Sequence, residues 1–530
     1  MKIYRISNSL VKQNKEFGSY NFTSLNRLVD QVDLEECLLT ELIKAEAQKE
    51  EIFSSSDLLM VEFEEDKKIV KETIIFDNRE YEFYLASASM LKKSCALFVR
   101  VDRKQVFDDF IKYATGDINK RIKEANKQVV INKIQAYKSF ITSGAIRVNL
   151  KPNIVIIEEA TYKYKGLHTV LKDLDSLEFE EKNIETDLNA FDGQGFMSKN
   201  LAEKIKIELN KKLKNPIREF NYMTFRTYIT ANKGMCIKVD LEKELDRVNK
   251  YYGDTEYLKY IDGELCVKDI FNEYHKVKDI DMLLNTSQTK FIKYFKSNDD
   301  IKQAIDEIPA QYRDVITDLY ICLHSKNKLS TSELSYQFSQ ATSLTYQDYI
   351  NITQKERRNI VSALDNQDIM FMLCDLFEKD SEEYQDCYEL ALELVKYDKS
   401  FLKSKAVVDS IRKLLVSKIN KTNYAKVKID NFSYRLMVQD PNVALNFIAT
   451  RDMNTARTEE CLRAGEFYAL NEDNNSKIVF GRNPLSSHQE LRKCLNTKNK
   501  FIDSLGYTNK DMLILNCFDC MPTIMSGADL

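Results

Sequence analysis

The sequence predicts an α+β chain in which two β-rich modules flank a long helical block, behind a mixed N-terminal domain. Strand-like apolar runs cluster between about residues 131 and 245 and return after about 426, whereas helical periodicity dominates 246–425. Gly (13) and Pro (6) are scarce over 530 residues, which favours long helices and few tight turns, although a Lys- and Asn-rich, AT-biased genome gives a similar skew. A chain of this length is too long for one core and divides into roughly three or four units.

Residues 1–130 mix both kinds of element. Asp33 with Glu36 forms a capping-box-like start to a helix through Leu38, Leu39, Leu42 and Ile43. Runs 59–63 and 74–84 read as strands, the second broken at the Asp77-Asn78 turn. In 131–245, β-rich runs at 154–157 and 235–239 surround a helix. It starts near Asn200, which can cap with Glu203, and carries Leu201, Ile205, Leu209 and Leu213 on one stripe.

In 246–425, one helix takes Pro309 in its first turn and runs through Val315, Leu319 and Leu323; another includes Tyr388, Leu390, Leu392, Leu394 and Val395. Nothing in this span carries chemistry, and it reads as a helical connector. From 426 to 530, runs 434–438, 466–470, 477–480 and 512–517 read as strands, with 471–475 as a hairpin-type turn between two of them.

Hydrophobic residues make up 43% and charged residues 30%, an ordinary globular balance that argues against disorder. The net charge of −4 excludes a uniformly basic nucleic-acid coat but leaves local patches open. Residues 92–138 hold 12 Lys or Arg against 5 Asp or Glu, and residues 199–218 hold 7 against 2. Each run fits either a solvated face or a groove for a phosphate backbone.

No N-terminal stretch resembles a signal peptide, and no run approaches the roughly 20 apolar residues needed to span a bilayer. The 11 scattered cysteines read as free thiols in a reducing cytoplasm. Cys517 and Cys520 form a CxxC without a second ligand pair, and His168, His275, His324 and His488 show no ligand spacing.

Three separated segments carry a resemblance. The first is Asp192-Gly193-Gln194-Gly195-Phe196-Met197-Ser198 with Leu201-Ala202, then Phe225-Arg226, Asn232-Lys233-Gly234 and Val239-Asp240. The second is Tyr434-Arg435-Leu436-Met437-Val438, then Asp440-Pro441, Ala464-Gly465-Glu466-Phe467, Gly481-Arg482-Asn483-Pro484 and Glu490-Leu491-Arg492. The third is Met525-Ser526-Gly527-Ala528-Asp529-Leu530.

In this order they resemble the cellular-type RNA-dependent RNA polymerases and their bacterial and phage single-chain relatives. That family reads D-G-x-G-x-[IM]-S, then R-Y-L-M-G…D-P…G-E-V, R-N-P-C-L-H-P-G-D-I-R and G-[AS]-D-L-D-G-D. Ser487 stands where the family often has His. The likeness covers about 130–530 and is thinnest over 250–420.

The resemblance implies two double-psi β-barrel modules, at 131–245 and 426–530, separated by the helical connector. It implies a nucleotidyltransferase that adds NTPs to an RNA 3′ end by two-metal catalysis. Lys233 and Lys238 would face the phosphates. Arg482 would grip a phosphate or ribose hydroxyl near the 3′ end. Arg226, Asn483 and Arg492 would contact NTP or nucleic acid, and Arg435 reads as structural. Asp529 would be the first of three metal-binding aspartates for two Mg²⁺, ions that stand about 3.5–4 Å apart in such sites.

The remaining D-G-D of that motif would lie past Leu530. The chain alone is therefore expected to be inactive unless a C-terminal polypeptide supplies it. Its partners would be RNA product, NTPs and an RNA or DNA template, in the cytoplasm of a bacterial or phage-infected cell. The wording favours RNA as template, yet prophage relatives of this build transcribe DNA.

Outside the resemblance, each lysine and Arg482 reads as a solvated charge and Asp529 as a frayed terminal residue. Two other classes stay in view: a non-catalytic nucleic-acid-binding polymerase relic, and a helical scaffold.

Overall fold

The structure, a computed structural model, describes residues 1–7, 29–50, 57–63, 73–76, 78–92, 94–125, 129–173, 176–189, 193–323, 331–365, 394–395, 397–481, 485 and 488–518. It is a mixed α+β architecture.

Six strands open the chain: β1 (Lys2–Ser7), β2 (Val29–Asp33), β3 (Leu58–Glu62), β4 (Thr73–Phe76), β5 (Arg79–Leu85) and β6 (Cys95–Arg100). They form one sheet in the order β2-β1-β3-β6-β5-β4. Asn78, at a φ of 58°, turns β4 back onto β5, in the left-handed conformation that Asn tolerates. Helix α1 (Leu38–Glu50) carries the expected leucines, but Asp33 ends β2 and does not cap it, which corrects the Asp33–Glu36 capping box; the Thr40 hydroxyl accepts the Cys37 N–H and donates to the Cys37 carbonyl. Its Leu38, Leu39 and Leu42 pack with Phe107 and Phe110 and also with Tyr228, Phe291 and Tyr312, so the N-terminal domain shares a core with residues from the middle of the chain.

Next come β7 (Ile146–Arg147), β8 (Ile154–Ile157) and a long ribbon of β9 (Thr161–Asp173) with β10 (Glu178–Asn189). After the ribbon stand β11 (Gln194–Ser198), helix α2 (Lys199–Lys212), β12 (Tyr222–Thr227), β13 (Asn232–Val239) and helix α3 (Leu241–Tyr252). A small sheet of β14 (Leu258–Ile261), β15 (Glu264–Lys268) and β16 (Tyr274–Lys276) precedes β17 (Met282–Asn285), helix α4 (Ala310–Thr317) and β18 (Tyr320–Cys322). The main sheet here has seven strands in the order β7-β18-β12-β13-β11-β17-β8.

Local details correct the sequence reading. Ser198, not Asn200, caps α2: its extended backbone ends β11, and its hydroxyl accepts the Leu201 N–H at 3.1 Å. Helix α4 starts after Pro309 as expected but stops at Thr317, so Leu319 and Leu323 are not on it. The Leu319 N–H bonds the Leu150 carbonyl, and the next three residues enter β18. Long-range pairing thus takes β17 and β18 from a span whose periodicity reads as helical.

The rest of the connector span holds β19 (Thr331–Glu333), α5 (Tyr346–Asp365) and α6 (Lys405–Asn423), with β19 paired to β20 (Lys428–Asp430). The helix expected around 388–395 falls mostly outside the described residues; Leu394 and Val395 are helical. The last part carries β21 (Leu436–Gln439), α7 (Pro441–Thr450), β22 (Glu466–Tyr468), β23 (Lys477–Phe480), β24 (Arg492–Asn496) and β25 (Met512–Leu515). Its sheet order is β21-β25-β22-β24-β23.

Strand β24 lies between β22 and β23, so 471–475 is a crossover corner rather than a hairpin turn. Asn496 holds this corner: its amide donates to the Glu472 and Asp473 carbonyls and its oxygen accepts the Ala469 N–H.

Five strands of each main sheet share one topology. Taken in chain order they are β8, β11, β12, β13, β17 in the first and β21, β22, β23, β24, β25 in the second. In both, the first pairs parallel with the fifth and the fifth antiparallel with the second. The second then pairs parallel with the fourth, and the fourth antiparallel with the third.

Details repeat as well. Gly193 and Gly465, at φ of 76° and 80°, stand just before the second strand of each unit. Asn285 and Asn516 each donate a side-chain amide to that strand's first carbonyl, on Gln194 (3.0 Å) and Glu466 (2.8 Å). The two units also share a core: Phe196, Met235, Ile237 and Leu283 cluster with Val438, Tyr468, Met512 and Ile514.

Candidate active centre

The first motif and the lysine-bearing strand meet at a buried polar turn. In 285–289, Gln288 is 0% exposed, and its amide nitrogen donates to the carbonyls of Gly193 (3.1 Å) and Met235 (3.0 Å). Its own carbonyl accepts the Lys233 N–H at 3.0 Å, and Met235 N–H reaches Gly193 O at 2.8 Å. The Ser287 hydroxyl accepts the Gly193 N–H and donates to Asn285. Buried polar groups satisfied this completely fix one arrangement of the backbone.

Gly234 is required here. It sits at a φ of 147°, and a Cβ on it would lie 2.7 Å from both the Gln288 amide nitrogen and the Gly193 carbonyl oxygen. The glycines of the D-G-Q-G and N-K-G segments therefore let β11 and β13 close on Gln288.

The next residue joins the two main sheets. The Gln194 side chain accepts the Gln439 N–H at 2.7 Å and donates to the Gln439 carbonyl at 3.3 Å, so one amide spans from β11 to β21. The Gln439 side chain faces Cys517 Sγ at 3.8 Å, just past β25. Hydrogen bonds thus run from the backbone of Lys233 through Gln288, Gly193 and Gln194 to the second sheet.

Lys233 and Arg226 are directly opposite on β13 and β12 and so leave the same face. Both cations flank the Phe140 ring, with Lys233 Nζ 5.4 Å and the Arg226 guanidinium carbon 5.7 Å from its centroid. Arg226 donates to the Phe225 carbonyl at 2.7 Å, while its buried Nε has no partner among the described residues. Their face is that of Met235 and Ile237, which pack in the core shared with the second sheet.

Lys238 lies five residues along β13 and leaves the opposite face, the one where Cys236 packs with Leu201 and Ile205 of α2. Burial lowers its affinity for a proton, Glu203 opposes that, and Lys206 and Lys199 add to it. The structure therefore gathers Lys233 with Arg226 and sets Lys238 apart. Arg492 sits at the start of β24 opposite Phe480, half-buried, its Nε without a partner among the described residues. Arg435 is pinned to Asn471 and Glu472, as expected of a structural arginine. Arg482, Asn483 and Asp529 lie outside the described residues.

Asp440, beside Pro441 in the second motif, caps α7. It is 0% exposed and accepts the N–H groups of Leu462 (2.7 Å) and Asn442 (2.9 Å). Burial outweighs those bonds and pushes its carboxyl up to about 6.

One carboxylate cluster was not legible from spacing. Asp269, Glu273 and His275 bring ligand atoms within 4.8 Å of one another, which corrects for His275 the reading that the histidines show no ligand spacing. The signal was local, a D-x₃-E-x-H run folded over by the β15–β16 turn. The group is saturated, however. Asp269 accepts from His275 (2.8 Å), Asn298 (2.6 Å) and two backbone N–H groups, and Asn298 also donates to Glu273. That is a turn lock, in which the donors a cation would need to displace are already in place.

No helix among the described residues is long and apolar enough to cross a membrane. No curated protein matches the chain. A sequence model of the family described as RNA dependent RNA polymerase matches residues 8–500, from the N-terminal domain through the shared core and the Lys233–Arg226 site to β24. The chain belongs to the RNA-dependent RNA polymerase family.

Proposed function

We propose that this chain is the two-barrel body of a template-directed RNA polymerase, in which the two topologically matched sheets are the two double-psi β-barrels and Lys233 with Arg226 bind phosphate. The observation that carries the reading is the closure of the D-G-Q-G and N-K-G segments on Gln288. It fixes the strand on which Lys233 stands opposite Arg226, both cations beside the Phe140 ring. A fork donor and an ammonium held on strands are pre-positioned for the charge that develops on a transferring phosphoryl group. Lys238, with Lys199 and Lys206, supplies charge on the other face of β13, toward a nucleic-acid backbone.

Family chemistry implies two Mg²⁺, which carboxylates would hold. Among the described residues the one carboxylate cluster does not fit that pair, because the Asp269–Glu273–His275 group is hydrogen-bonded within itself. RNA is the favoured template from the motif wording, with DNA the second reading.

The test uses the full-length protein that carries this chain. Labelled NTP incorporation in Mg²⁺ is followed on RNA and DNA templates of matched sequence. Extension on RNA is the expected result. Extension on DNA alone reverses the template assignment, and no extension on either removes the polymerase reading.

A further inference from the structure

The cation pair of the candidate site leans on a ring that comes from outside the motif segments. Arg226 and Lys233 stand directly opposite on β12 and β13, and like charges so placed repel. Phe140 meets both: Lys233 Nζ lies 5.4 Å and the Arg226 guanidinium carbon 5.7 Å from its centroid, within reach of a cation–π contact. A carboxylate in that place would also hold the two side chains, but it would cancel charge that a phosphate needs. A ring carries no net charge, so it orients the cations and leaves their charge in place. Arg226 also keeps a buried Nε without a partner among the described residues, a donor still open to an anion.

The ring is held firmly. Phe140 belongs to a segment made of the helix Ile131–Lys138 and the helical turn Ser139–Thr142. Ile134 and Ile141 of that segment are buried in the core of the N-terminal domain with Leu38 and Phe107. The Ser139 hydroxyl donates to the Ala136 carbonyl at 2.7 Å, and the Thr142 hydroxyl to the Ser139 carbonyl at 2.8 Å. Tyr137 meets Phe140 edge-on, with centroids 5.5 Å apart, and meets Phe291 in the same way at 5.7 Å.

Phe291 in turn is fully buried, and its N–H bonds the Thr230 carbonyl at 2.9 Å, three residues before Lys233. The Lys290 N–H likewise bonds the Ala231 carbonyl at 3.2 Å. The ring is therefore tied to the N-terminal core on one side and to the backbone leading into β13 on the other. Phe140 itself stays half-buried, as do Arg226 and Lys233.

We propose that Phe140 is a positioning residue of the phosphate site: its ring orients Arg226 and Lys233 for the triphosphate of an incoming NTP, and through it the N-terminal domain sets the geometry of that site. The proposal rests on the polymerase reading for the reaction and adds the group that aims the cations.

Two measurements on the full-length protein test it: ATP binding by isothermal titration without template, and single-turnover NTP incorporation on an RNA template. Phe140→Leu keeps an apolar side chain and loses the π face, whereas Phe140→Tyr keeps that face. Phe140→Leu should weaken ATP binding about three- to tenfold and slow incorporation about tenfold. Phe140→Tyr should stay within about twofold of wild type in both. With Lys233 already replaced by Met, Phe140→Leu should cost less than about threefold, because much of its effect runs through that ammonium. If Phe140→Leu fails to fold, Phe140→Met, which fills the site without a ring, takes its place.

A full loss from Phe140→Leu in the Lys233→Met background marks the ring as packing alone and overturns the proposal. So do wild-type binding and incorporation in Phe140→Leu, or a loss in Phe140→Tyr as large as in Phe140→Leu. A wild type that extends no RNA, yet loses ATP affinity in Phe140→Leu and not in Phe140→Tyr, sinks the polymerase reading and keeps the positioning role. Extension that Phe140→Leu leaves untouched does the reverse, and a wild type that neither extends RNA nor binds ATP removes both.

Discussion

Gln194 of the first sheet grips the backbone of Gln439 in the second through both ends of its side-chain amide, at 2.7 and 3.3 Å. Both residues sit at strand ends on the seam between the two main sheets, and the neighbours of Gln194 close around Gln288. A single side chain therefore couples the position of the Lys233 strand to that of the strand pair β21–β25.

Replacing Gln194 by Leu keeps the bulk and removes both bonds, leaving the Gln439 N–H at the seam without its acceptor. The expected cost is about 1–3 kcal/mol, because a part-buried donor left without its acceptor loses solvation. Urea unfolding measures it as a lowered midpoint. A midpoint equal to wild type would show that the amide clamp contributes nothing.

Gly234→Ala should be costly for a different reason, since the new methyl collides with a backbone oxygen and with the amide that locks the site. Gly253 is the control: it also has a positive φ, of 74°, but a Cβ there meets nothing within 4 Å. Thermal unfolding should show about 1–3 kcal/mol lost at Gly253→Ala from backbone strain alone. At Gly234→Ala the loss should be roughly 2–4 kcal/mol. Equal losses would mean that the close approach to Gln288 is not tight.

The N-terminal helix and the strands at 154–157, 235–239 and 477–480 were legible because short-range periodicity and burial agree there. The motif segments were legible as sequence, and the structure draws two of them together. What spacing could not show is the turn at 285–289. Gln288 and Asn285 are polar residues in a span whose pattern is helical, and their burial comes from strand β17 pairing with β11 and with β8, the latter more than a hundred residues earlier. The capture of residues 320–322 by β12 has the same cause. The pairing of Lys233 with Phe140 likewise depends on the N-terminal core, which no local signal encodes.

Asp440 makes stability depend on pH in a stated direction. Its carboxyl is raised to about 6 in the folded chain from an ordinary value of 3.8. Between those values the native state holds more protons than the unfolded state, so stability falls as pH rises from about 4 to 6 and the loss is complete above 6. The amplitude is about 3 kcal/mol. Asp440→Asn keeps the bond to the Asn442 N–H and cannot ionise, so the stability difference between wild type and variant should shift across this window and be flat above it. A difference independent of pH from 4 to 7 would place the Asp440 carboxyl at its ordinary value.

The two lysines of β13 should part company when each is removed. Lys233 shares a face with Arg226 beside the Phe140 ring, so Lys233→Ala in the full-length protein should lower NTP incorporation by about 10²-fold with little change in melting temperature. Lys233→Arg should recover part of this, since the charge returns in a different shape. Lys238 stands half-buried against α2 with Lys199 and Lys206 disfavouring its charge. Lys238→Met relieves that repulsion and keeps the packing, so stability should hold or rise by about 0.5–1 kcal/mol. Incorporation should stay within about threefold at low salt and fall further as salt rises, because only a backbone contact is lost. Single-turnover incorporation and thermal unfolding on both variants separate the roles, and equal losses of incorporation from Lys233→Ala and Lys238→Met would refute the assignment of chemistry to one face of the strand.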